Sequence, residues 1–98
     1  MDDLFNLAEG TESRSLLTRD QGRKLRLDVV ARLSCNARIT LDLSDALAVS
    51  PSFADELFAG LEKQLGAEFT KRIRITGARP EWRRLITSAL QHRRARTE

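Results

Sequence analysis

Two serines, Ser50 and Ser52, bracket Pro51, and two acids, Asp55 and Glu56, follow three and four residues after Ser52. A serine hydroxyl at such a place can cap a helix or accept a phosphoryl group, which would bring about −1.5 to −2 charge at neutral pH. Asp55 and Glu56 are adjacent, so on a helix they project about 100° apart. Acid–base catalysis needs both carboxyls aimed at one substrate atom. This pair instead suits the positive end of a helix dipole, an arginine of a partner, or Arg19 of the same chain. His92 is the single histidine and lies among Gln91, Arg93 and Arg94, with no acid beside it and no nucleophile for it to activate. The chain has no glycine-rich phosphate loop, no cluster with metal-ligand spacing and no Ser/His/Asp ordering. The expectation is a protein that is not an enzyme and carries no cofactor and no metal.

The elements that would position these groups follow from periodicity. Thr18-Arg19-Asp20-Gln21 is a capping box, with Gly22, Leu25, Val29 and Leu33 recurring behind it at helical spacing. It predicts a helix over 19–34. Ser50 before Pro51 marks a second helix start, with Phe53, Leu57, Leu61 and Leu65 as its inner stripe and Gly66 as its end. Pro80-Glu81 opens a third helix, lined by Trp82, Leu85, Ile86, Ala89 and Leu90. Ile39, Leu41 and Leu43 alternate over 38–44, and Ile73 and Ile75 alternate with Arg72 and Arg74 over 69–75, so both segments read as strands with one apolar face. Residues 4–8 and 13–17 read as an opening hairpin, with Glu9-Gly10-Thr11-Glu12 as its turn.

The order is therefore ββαβαβα, an α/β fold of two layers. A mixed β-sheet of about four strands would carry three helices mainly on one face, because strands covered on both faces would be apolar throughout. Residues 1–98 suit a single domain, with a basic tail at 92–98. No apolar run approaches the roughly 20 residues of a membrane span. The start, Met1-Asp2-Asp3, is acidic where a secretory signal is basic. One cysteine, Cys35, cannot form an internal disulfide, and a cytoplasmic location is the expectation.

Charge is unevenly spread. Residues 71–98 hold nine Lys/Arg against two acids, a balance of +7, leaving −4 in residues 1–70 of a chain with net charge +3. Arg83, Arg84, Arg93, Arg94 and Arg96 of the last helix are the candidate contacts for an anion or a nucleic acid. Tyrosine is absent and no helix-turn-helix or RNA-platform pattern occurs, so nucleic acid is the alternative rather than the leading reading.

Leu41-Asp42-Leu43-Ser44, followed by a serine at the next helix start, resembles the STAS domain of sulfate transporters and anti-sigma factor antagonists. Leu17-Thr18-Arg19-Asp20-Gln21 and Ser52-Phe53-Ala54-Asp55-Glu56-Leu57-Phe58 resemble, more closely, the STAS-like domain family of unknown function. The resemblance spans nearly the whole chain. It implies a STAS-like fold and a regulatory, protein-binding habit in a bacterial cytoplasm, with a kinase-like ATPase as the kind of partner. In bacterial anti-sigma antagonists the strand leads to Asp-Ser-Ser-Gly, whose second serine is phosphorylated. Alignment places Ser50 at the aspartate, Pro51 at the first serine, Ser52 at the phospho-acceptor and Phe53 at the glycine. Ser52 is thus the implied phosphorylation site, and Ser50, Phe53, Asp55, Glu56 and Asp45 are the implied partner-binding residues.

Overall fold

The computed structural model describes residues 2–96, with side chains as far as Gln91. In chain order its elements are β1 (Asp2–Asn6), α1 (Leu7–Thr11), β2 (Ser15–Leu16), α2 (Arg19–Leu33), β3 (Arg38–Asp42) and β4 (Ala48–Val49). A helical run over 51–65 follows, made of α3 (Pro51–Ala54), a π-helical turn (Asp55–Ala59) and α4 (Gly60–Leu65). A 3₁₀ turn (Gly66–Glu68), α5 (Phe69–Arg72), β5 (Ile73–Thr76) and α6 (Pro80–Arg96) complete it.

The α/β class stands, but the sheet differs from the mixed one expected. β1, β3 and β5 form a three-stranded sheet in that order, parallel throughout, while β2 and β4 pair separately in a small parallel ribbon. The opening hairpin is absent. Asn6 Oδ1 accepts from the amides of Ala8 and Glu9, so the chain enters α1 where a return strand was expected. α1 ends at Glu12, whose φ of 57° turns the chain away. Strand β2 then runs beside β4 instead of β1.

α2 begins with the capping box that the sequence announces: Thr18 Oγ1 accepts from Gln21 N, and Gln21 Oε1 accepts from Thr18 N. Gly22, Leu25, Val29 and Leu33 are its buried positions. The last strand starts later than its alternation suggests. Phe69 to Arg72 coil into α5, because the Arg72 guanidinium donates to the carbonyls of Leu33 (2.7 Å), Asn36 (2.9 Å) and Ala37 (2.9 Å). That contact satisfies carbonyls at and just beyond the end of α2 that no helical amide could reach.

Register decides the two faces of the sheet. Phe5 aligns with Leu41 and Leu41 with Ile75, while Ile39 aligns with Ile73. These side chains point into the core with Leu25, Val29, Phe53, Leu57, Phe58 and Leu61. Asp2 and Arg38, then Leu4, Thr40 and Arg74, point the other way, and Leu4 is 64% exposed. Helices therefore cover one face. Among the described residues no helix is long and apolar enough to cross a membrane.

Candidate functional site

The start of the helical run 51–65 is fixed from two sides. Ser50 Oγ accepts from Phe53 N at 3.0 Å and donates to Leu17 O at 2.6 Å. It is the helix cap and also a tie to the end of the β2 ribbon. Ala54 N donates to Ser50 O, and Pro51 has no amide hydrogen. Of the first turn, Ser52's own amide is what remains for an outside anion. The Ser52 side chain is exposed.

Phe53 is fully buried in the core, which corrects its assignment to a partner surface. In the helix's first turn an aromatic ring gains roughly 1.5–3 kcal/mol by burial, and here the core claims it. Ser50 keeps a structural role, with its hydroxyl occupied by the two bonds above.

Asp55 and Glu56 both reach Arg19, one of the partners that the sequence offers them, although ideal helical spacing sets them about 100° apart. Arg19 Nη1 lies 3.0 Å from Asp55 Oδ2 and 3.7 Å from Glu56 Oε1. The hydrogen bond that Arg19 donates to Asp55, then the charge of Asp55, hold the Arg19 guanidinium above its ordinary pKa. Glu56 also meets Arg26 Nη2 at 2.8 Å, with both side chains about four-fifths buried. Arg26 was not singled out in the sequence. Its signal is position: Arg19, Gly22 and Arg26 recur at three and four residues on one face of α2, so two arginines flank a glycine where the next helix crosses.

Ser52, Pro51, Asp55 and Arg19 line one side of an open cleft of about 280 Å³, and Leu85, Ser88 and Ala89 of α6 line the other. Its lining is partly apolar and carries two hydroxyls, an acid and a base. Asp45 lies elsewhere, accepting from Asn6 Nδ2 at 2.7 Å beside Arg14 and Glu12 in a separate hollow. Arg83 and Arg84 are exposed on α6, Arg83 Nε reaching Ala78 O. Arg93, Arg94 and Arg96, with His92, lie outside the described side chains.

The model of the STAS-like domain of unknown function matches residues 21–82, which include Gln21 of the capping box, the parallel strands β3 and β5 and the entire helical run. The chain belongs to this family. No curated protein and no solved structure gives a match. Within this STAS-like domain, the Phe53-Ala54-Asp55-Glu56 segment is an interface motif: the first two residues enter the core, and the next two bind the arginines of α2.

Proposed function

We propose that this STAS-like domain is a non-catalytic regulatory module that docks another protein over the cleft at the start of the helical run 51–65, with phosphorylation of Ser52 as its switch. The observation that carries the reading is the division of labour between the two serines. Ser50 is spent on the cap, whereas Ser52 is exposed at the rim of the cleft with Asp55 and Arg19 beside it. A phosphate there has little to gain from helix amides, since those of Phe53 and Ala54 are already bonded. It would instead compete with Asp55 for Arg19 and place a hydrated dianion where a partner must sit. The partner that the family likeness favours is a kinase-like ATPase in a bacterial cytoplasm, which would both bind the module and modify it.

The test is capture of a purified kinase-like ATPase by the immobilised domain, with a phosphopeptide search over residues 50–58. Ser52→Ala should bind as the native domain does, and Ser52→Asp at least ten-fold more weakly. Equal binding by both variants would remove the switch and leave only the docking role.

A further inference from the structure

We infer that the bare face of the β1-β3-β5 sheet is a second binding surface, one that takes the phosphodiester backbone of nucleic acid. It is separate from the cleft at Ser52, because the two lie on opposite sides of the sheet's covered and uncovered faces.

Three cations stand on and beside this face. Arg38 begins β3, Arg74 aligns with Thr40 at the centre of the sheet, and Lys71 ends its side chain at the same hollow from α5. The hollow has a volume of about 260 Å³, and Thr40 and Thr70 add hydroxyls to its lining. Adjacent strands and a two-residue offset put the Arg38 and Arg74 backbones about 8 Å apart, so their guanidinium groups can serve neighbouring phosphates. The placement is rigid, since Arg72, between Lys71 and β5, is clamped on the carbonyls of Leu33, Asn36 and Ala37.

The bases of α2 differ from these three in being paired. Every base of α2 has an acid: Arg19 has Asp55, Arg23 and Lys24 have Asp20, Arg26 has Glu56, and Arg32 has Asp3 and Asp28. Arg38, Lys71 and Arg74 have no carboxylate oxygen within 4.0 Å among the described residues, although Asp2 aligns with Arg38 across the strands and lines the same hollow. Unpaired guanidinium and ammonium groups beside threonine hydroxyls are the groups that contact phosphate oxygens. Among the described residues Leu4 is the one large apolar side chain on the face, too little for the apolar centre of a protein–protein interface. Among the described residues no aromatic ring lies there for a base to stack on, so contact is to the backbone and independent of sequence.

Fluorescence anisotropy with a labelled mixed-sequence DNA duplex of about 20 base pairs tests this. Three phosphate contacts predict an affinity that falls roughly 40-fold between 50 and 200 mM salt. The triple variant R38Q/K71Q/R74Q should lose at least ten-fold at low salt and show a flatter salt dependence. Arg74→Glu alone should weaken binding too, and guards against a misfolded triple variant. R93Q/R94Q/R96Q should stay within three-fold of the native chain. Absence of binding at 50 mM salt, native-like binding by the triple variant, or loss confined to the tail variant would overturn the assignment. So would a polyglutamate peptide that competes as well as DNA at equal charge, since the surface would then be one for acidic protein.

Discussion

Arg26 Nη2 lies 2.8 Å from Glu56 Oε2 and Arg26 Nη1 3.0 Å from Gln64 Oε1, so a single guanidinium fastens the middle of α2 to the helical run 51–65. Arg26 Nε, in the same group, is buried without a partner. A charge held this way depends on its counter-ion more than the counter-ion pair benefits the fold.

Glu56→Ala should therefore cost more than Arg26→Met. The first strands a largely buried guanidinium and should lose about 1.5–3 kcal/mol. The second removes the charge with its orphaned nitrogen, keeps an apolar stem in place, and leaves Glu56 within reach of Arg19; a loss below about 1 kcal/mol is expected. Urea unfolding of both variants at neutral pH checks the ordering, and equal losses would contradict it.

Gly22 marks the point where the two helices come closest. A methyl group there would lie 3.0 Å from Glu56 Cβ and 3.1 Å from Phe53 O. In an exposed helix Gly→Ala gains about 1 kcal/mol. Here the gain is opposed by a backbone carbonyl and a side-chain stem that must each shift by a few tenths of an ångström, and overpacking of this kind costs about 1–3 kcal/mol. Gly22→Ala should lower the thermal midpoint, and a rise would mean that the helices can part without penalty.

Local signals were legible in the sequence, and long-range ones were not. The capping box at Thr18, the Ser50-Pro51 start and the stripes of α2 and of the run 51–65 all act within a few residues, and each appears where its spacing indicates. The opening segment was misread because Asn6 as a cap and Gly10 as a turn residue look alike from sequence, and the choice rests on whether β1 finds β3 or β2. The strand at 69–75 was shortened by Arg72, whose partners lie more than thirty residues away. At the candidate site the exposure of Ser52 followed from its place in a first turn. The burial of Phe53 followed from its stripe, and the alignment with a glycine obscured it. That Arg19 is one partner for the Asp55-Glu56 pair was legible, but not that both acids reach it at once from a run that is π-helical from Asp55.

The two serines should separate in stability as they do in geometry. Ser50→Ala removes the acceptor for Phe53 N and the donor to Leu17 O, and should cost about 1–2 kcal/mol. Ser52→Ala changes an exposed side chain and should stay within about 0.5 kcal/mol. Denaturant midpoints of the two variants test this. A Ser52→Ala loss as large as that of Ser50→Ala would make Ser52 a structural residue and remove the ground for treating it as a switch.

Asp20 offers a test by titration. Hydrogen bonds from Arg23 (2.8 Å) and Lys24 (3.2 Å), in that order of effect, hold its carboxyl below the usual carboxylate range, with the charge of Lys24 adding to them. A carboxyl whose pKa is lowered by folding stabilises the fold above its unfolded pKa, and that contribution disappears as pH falls through the lowered value. The native domain should thus exceed Asp20→Asn in stability at neutral pH, with the difference closing in acid. The Asp20 side-chain carbon, followed by NMR, should titrate at lower pH in the native chain than in the Arg23→Gln, Lys24→Gln double variant. A midpoint that does not move would show that these exposed contacts are screened by water and that the first turn of α2 draws nothing from them.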